Sequence, residues 1–332
     1  MLLAGARGGT AEAIANVLHQ PVASHSYHVA VAALAKYLIK GANQGSNELS
    51  VANALWVERG ASLESGFEAI LRDAYRAPLT RLDFASPEPA CAKINSWTAE
   101  HTKNRIRTML SASSIHPDTR LLLTSAIYFY GKWSWPFEPT YTYQDAFRPL
   151  RGGAVTANFM LQQASVGYTE TRSLQILEMP YDGIPMAFDI LLPKAPDGLA
   201  DLERTLNFQT LASHFSTLSQ EKVLIAIPKF RAESSTALKG ALSRMGMGEA
   251  FSEKADFSGI DGRRDLFVTD ALHKAFVDIS EQGTEAAAAT GVKYGSADRL
   301  AKIFCWADHR FVFLIRDTTS GVILFAGRFL RP

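Results

Sequence analysis

Cysteine is almost absent from this chain: Cys91 and Cys305 are the only two in 332 residues. So few thiols, so far apart, exclude a disulfide framework and a cysteine metal cluster, and both are expected to be unpaired. An excess of either charge is missing too. Lysine and arginine number 34 against 33 aspartate and glutamate, a formal charge of +1. No general field therefore draws the chain to nucleic acid or to an anionic membrane, and neither is expected as a partner. Long apolar runs are also lacking. Stretches such as Phe311 to Ile315 and Ala187 to Leu192 fall far short of the ~20 residues that a membrane-spanning helix needs. There is no Asn-x-Ser/Thr acceptor, and no basic segment precedes the short apolar start, so no signal peptide is read.

The signatures of catalysis are equally sparse. No serine stands in a Gly-x-Ser-x-Gly elbow, and neither cysteine has a catalytic context. His25 and His28 have no third ligand at matching spacing, so no metal is expected. The glycines between Ala4 and Thr10 lack the Lys-Ser/Thr and the preceding strand of a phosphate loop. They read as a turn between two helices, the second capped by Thr10. His273 heads an apolar strand, where a histidine is more often hydrogen-bonded structure than a general base. Trp133 and Trp135 end another strand and read as core filling. No catalytic residue, metal or cofactor is assigned, and the chain is not read as an enzyme.

What is present is apolar material for a large core, 47% hydrophobic against 20% charged residues. Helical spacing runs over 10–43, a strand pattern over 49–57, a helix over 60–73, an extended stretch over 82–84 and an amphipathic helix over 94–110. Leu121 to Phe129 is a near-continuous apolar run, the mark of a strand covered on both faces. Beyond it come short apolar strands at 188–192, 223–227, 266–268, 275–279, 311–315 and 322–325, with one late helix at 236–245. Helices first and strands later predict an α+β architecture. With no repeat and no long linker, residues 1–332 are read as one domain.

The most unusual segment is Glu281 to Leu300, EQGTEAAAATGVKYGSADRL. Its alanines would suit a helix. Against that, large apolar anchors are missing until Val292 and Tyr294, and Gly283, Gly291 and Gly295 interrupt it. A poorly anchored loop of this length between two strands points to function.

The motif HKAFVDISEQGTEAAAATG at 273–291 resembles the hinge of a serpin. So do LLLTSAIYFYGKWSWPF at 121–137, IPKFRAESSTALKGALSRMGMGEAFSEKADFSGI at 227–260 and FVFLIRDTTSGVILFAGRF at 311–329, with NALWV at 53–57 and INSW at 94–97 adding support. The resemblance covers nearly the whole chain. It implies three β-sheets, about nine helices and an exposed reactive-centre loop at about 281–302. It also implies a monomeric suicide inhibitor of a serine or cysteine protease: the protease cleaves the loop, is trapped as an acyl-enzyme, and the freed hinge enters the main sheet. The hinge would be Glu281, Gly283, Thr284, Glu285, Ala286, Ala287, Ala288, Ala289 and Thr290. In an inserted strand Thr284, Ala286, Ala288 and Thr290 would face inward, a small and uncharged set.

The family's hinge spacing places the reactive bond at Ala297–Asp298, whereas counting back from FVFLIRD places it at Arg299–Leu300; both remain open. Ser125, where the family usually has Asn, would meet His273, and together with Trp133 these residues mark the region where the sheet opens. The family pattern also predicts an N-terminal helix ahead of this sequence, so a truncated member is expected. Analogy favours a secreted or periplasmic protein. The alternatives are a non-inhibitory member with a chaperone, carrier or storage role, or a plain protease substrate.

Overall fold

The computed structural model describes residues 1–20, 25–284 and 301–332. Its first elements are α1 (Leu2–Gly5), α2 (Gly8–Val17), α3 (His25–Ala42), β1 (Glu48–Glu58), α4 (Ser65–Asp73), β2 (Leu79–Leu82), α5 (Pro87–His101) and β3 (Leu121–Lys132). Then come β4 (Tyr143–Phe147), β5 (Val155–Glu170), β6 (Leu174–Pro180), β7 (Met186–Pro193), α6 (Leu199–Thr205), α7 (Phe208–Ser216), β8 (Ser219–Pro228) and β9 (Phe230–Ala237). The last are α8 (Lys239–Leu242), α9 (Ser258–Asp261), β10 (Asp270–Ser280), β11 (Gly283–Thr284), β12 (Ile303–Trp306), β13 (Phe311–Asp317) and β14 (Ile323–Phe329). The order is α+β, as the pattern predicts. The chain forms two compact units, one of residues 1–40, 49–128 and 233–276, the other of 41–48, 129–232 and 277–332.

In the first unit β1 pairs in parallel with β2, and β10 in parallel with β3 from Asp270↔Leu122 to Phe276↔Tyr128. Alternate strand residues point to opposite faces, and both faces here are covered. Leu55 and Val57 of β1, Leu121 of β3 and Ala271 of β10 join a cluster with Leu2, Ile14, Phe67 and Phe257. Ala54 and Trp56 join a second cluster with Leu122, Phe84, Cys91 and Ile94. Two-sided burial explains why these strands read as continuous apolar runs. Each such Leu, Ile or Phe contributes about 1.5–3 kcal/mol.

Several boundaries differ from the sequence reading. The expected 94–110 helix stops at His101, because Lys103 (φ 52) and Asn104 (φ 61) take left-handed conformations that a right-handed helix cannot continue. Met109 and Leu110 still reach the second cluster, which is why the helical spacing was convincing. Thr10 is not a cap. The second helix starts at Gly8, and from inside it Thr10 Oγ1 donates to Glu249 Oε1 (2.7 Å) and accepts from the Asp256 amide (2.9 Å). Leu266 and Val268 are buried without being a strand, and β10 begins only at Asp270. The expected 236–245 helix is reduced to α8, with β9 still extended to Ala237 and a wider turn ahead of Gly246 (φ +119).

The second unit is built on an eight-stranded sheet in the order β12-β8-β5-β6-β7-β13-β14, with β4 on β5. Every residue of β7 and β13 is buried. Two of the buried charges there are paired: Arg316 Nε donates to Asp189 Oδ2 at 2.8 Å and the guanidinium lies 3.9 Å over the Phe215 ring. Leu199, Leu202 and Leu211 of α6 and α7 cover Leu174, Ile176, Leu191 and Leu314 of the sheet.

Candidate functional site: a strand tip between two strands

Within the second unit the ends of β3 and β10 are separated by the two residues of β11. Gly283 pairs with Lys132 and Thr284 with Gly131 on one side, and Thr284 pairs with Ile279 and Gly283 with Ser280 on the other, all antiparallel. The chain reverses at Glu281 and Gln282, whose carbonyls accept from the Phe137 amide (2.8 Å) and the Trp133 amide (3.1 Å). Gly283 has φ +144, and a Cβ there would collide with the Gly131 carbonyl, so both the angle and the close approach require glycine. Gly131 is equally constrained, since a Cβ would lie 2.7 Å from the rings of Phe129 and Tyr181.

Thr284 is fully buried, and its hydroxyl is 2.6 Å from that of Tyr181. Tyr181 stacks on Trp133 at 4.8 Å between centroids and meets Phe129 edge-on at 4.9 Å. Trp133 in turn donates from Nε1 to the Ser280 carbonyl at 2.9 Å. Trp133 is thus core, as expected, and also a tie to the turn. Trp135 is 52% exposed and fills no core, contrary to the sequence reading; it lies two residues beyond Trp133, which a bridge to Tyr181 holds in place.

Glu281 anchors the base of the turn. Its carboxylate accepts from Lys229 Nζ at 2.7 Å and from Thr142 Oγ1 at 3.0 Å, and its side chain is 11% exposed against 45% for Lys229. Burial alone would raise the Glu281 pKa, but the bonds from Lys229, the backbone and Thr142 outweigh it and hold the carboxyl below its usual value. Asn47 fixes the neighbouring strand end, donating to the Asp182 carbonyl (2.8 Å) and accepting from the Lys132 amide (2.9 Å).

In the first unit the same two strands lie directly against each other. Ser125 and His273 are register partners, with His273 Nδ1 3.3 Å from Ser125 Oγ. Partial desolvation depresses the His273 pKa against the opposing effect of Ser125, so the ring favours its neutral form. This agrees with a structural histidine. Of the expected hinge, Glu281, Gly283 and Thr284 are described. Glu285, Ala286, Ala287, Ala288, Ala289 and Thr290 lie outside the described residues, as do Ala297, Asp298, Arg299 and Leu300. The chain is next described at Ala301, whose amide donates to Gln163 Oε1 at 2.8 Å.

Both cysteines are free and buried, and burial raises the Cys305 thiol to about 12, which leaves it protonated and unreactive. Sequence reading did not assign Tyr181, Thr142, Asn47 or Lys229 to the site. Lys229 lay within a quoted motif, but its partner is 52 positions away, and Tyr181 is 103 positions from Thr284. Only folding brings such pairs together.

The family model described as Serpin (serine protease inhibitor) matches residues 1–332. The chain belongs to the serpin family. It is 37% identical to an uncharacterized serpin-like protein of Thermococcus kodakarensis, over 100% of this chain and 78% of that one. It is 35% identical to the leukocyte elastase inhibitor of Bos taurus, over 100% of this chain and 89% of that protein. Among solved structures it is similar to Serpin48, described as a highly specific serpin of the insect Tenebrio molitor, with TM-score 0.88 and 31% identity over 100% of this chain and 88% of that one.

Proposed function

We propose that this chain inhibits a serine protease as a suicide substrate, with residues 281–302 as the bait loop of a single serpin domain. The observation that carries the reading is β11, a two-residue strand already bonded to both β3 and β10. It is the leading end of an added strand. If continued along β3 and β10, this register would bring Thr290 opposite both Ser125 and His273, the pair that is now in direct contact. Insertion would replace the direct β3–β10 pairing with two new ladders and bury the small side chains of Ala286, Ala288 and Thr290 on the face where Thr284 already lies. This supports Ser125 and His273 as the point where the sheet parts, and Trp133 and Tyr181 as the groups that hold its open end.

The chemistry belongs to the target. Its serine hydroxyl attacks the carbonyl of Ala297, or of Arg299, and forms an ester. The peptide bond to Asp298, or to Leu300, breaks, and the new amine leaves with the proton passed on by the target's own base. The freed loop then inserts and displaces the bound protease before water can hydrolyse the ester. Extended-loop insertion of this kind is the general serpin mode. The partner is therefore a protease, with no cofactor or metal in the step.

The test is to incubate the chain with an elastase-like and a trypsin-like protease, look for an SDS-resistant complex, and sequence the released peptide. A complex with cleavage after Ala297 or after Arg299 assigns the bond. Cleavage without a complex would make the loop a substrate and defeat the proposal.

A further inference from the structure

Away from the hinge, the second unit holds a cavity of about 630 Å³ between the β5–β6 turn, the end of β7, and helices α6 and α7. Its floor is apolar: Leu174 and Leu202, both in the core cluster beneath the helices, with Pro193 beside them. Its rim carries Arg172, Ser173, Lys194 and His214. The acidic residue of this rim, Asp201, is engaged by Arg204, and Lys194 is paired with Glu170 outside it at 2.9 Å. Among the described residues the Arg172 guanidinium has no acidic partner within 4.0 Å, and neither it nor the Ser173 hydroxyl nor the His214 ring makes a hydrogen bond.

The volume lies in the range of small-ligand sites, and an apolar floor with a few convergent donors is their usual composition. All the unengaged polar groups at the rim can donate, and one is a fixed cation. We infer that this cavity binds a small amphiphilic carboxylate, its apolar body on Leu174, Leu202 and Pro193 and its head on Arg172, with Ser173 and His214 as further donors. A guanidinium and a carboxylate make a two-pronged, charge-assisted pair, so the head group should contribute most of the selectivity. A neutral molecule of the same shape would forgo that pair. The site does not involve the hinge, so this activity stands apart from protease inhibition.

The experiment is calorimetric titration of the full chain at pH 7 with sodium octanoate and, separately, with 1-octanol. Saturable one-site binding of octanoate is expected, about tenfold tighter than octanol. Arg172→Ala, a change at an exposed position that leaves the core untouched, should weaken octanoate by about the same factor and leave octanol unchanged. Circular dichroism and thermal melting should show that the variant is folded. Absence of saturable octanoate binding, equal binding of octanol, or octanoate binding that is indifferent to Arg172→Ala would each overturn the assignment.

Discussion

Strands β3 and β10 are treated differently in the two regions they pass through. Around Ser125 and His273 they pair directly, and the cross-strand contact is a 3.3 Å approach between an imidazole and a hydroxyl. Around Gly131 and Ile279 they are held apart by Gly283 and Thr284, and nearly every nearby polar group is committed: Trp133 to Ser280, Tyr181 to Thr284, Lys229 and Thr142 to Glu281. The closed region is joined by its parallel backbone ladder, with the Ser125–His273 side-chain approach of 3.3 Å across it. The open region is fastened by a network. On the proposed insertion, a strand entering between β3 and β10 would start where side-chain bonds already hold its tip and would continue by replacing a backbone ladder with few side-chain ties.

The sharpest way to break this contrast is Thr284→Arg. A guanidinium at this fully buried position must lose its hydration and displace the packed Tyr181 contact, a cost large enough to keep the strand tip out. The expected outcome is loss of all SDS-stable complex, with the loop cleaved as a substrate, read on denaturing gels. Gly283→Val comes next. It forces a branched side chain onto φ +144 and against the Gly131 carbonyl, so β11 should undock, visible as new cleavage around Glu281 to Thr284 under limited proteolysis.

The Glu281 pair separates burial from charge. Lys229→Ala leaves a nearly buried carboxylate without its main partner and should cost about 1–3 kcal/mol in urea unfolding. Glu281→Ala leaves a lysine that is 45% exposed and can turn to water, so it should cost less than about 1 kcal/mol. Equal losses would show that the pair is not asymmetrically buried in solution. Tyr181→Phe removes one hydroxyl and should cost about 1 kcal/mol.

The smallest effect concerns the seam. The His273 pKa is lowered on folding, so the unfolded chain takes up the proton more readily. His273 therefore contributes stability that is present above its ordinary value of 6.5 and is lost as pH falls through the folded value. His273→Gln should flatten this part of the pH–stability curve while leaving the curve near pH 8 little changed. A dependence that persists in the variant would assign it to another group.

Much of the fold was readable along the chain. Two-sided burial left its mark as unbroken apolar runs at β3, β7 and β13, and the hinge motif pointed to a strand that ends where β10 does end. The failures have a common cause. Ile106, Met109 and Leu110 are buried with helical spacing but in coil, and Leu266 and Val268 are buried without a ladder. Periodicity reports burial, and burial does not require regular structure. Trp135 failed the other way, since an aromatic beside a strand is apolar whether or not anything covers it.

The sequence by itself determined the order of helices and strands, the small uncharged side chains of the hinge and the glycine at its turn, because propensity, alternation and backbone freedom are local properties. Tertiary structure alone decided that Thr284 is already between β3 and β10, that Tyr181 and Trp133 hold it there, and that Lys229 and Thr142 hold Glu281. Apart from the pairing of β11 with β10, those contacts join residues tens to more than a hundred positions apart. Hydrogen bonds and close approaches depend on distance in space, and no local preference encodes it.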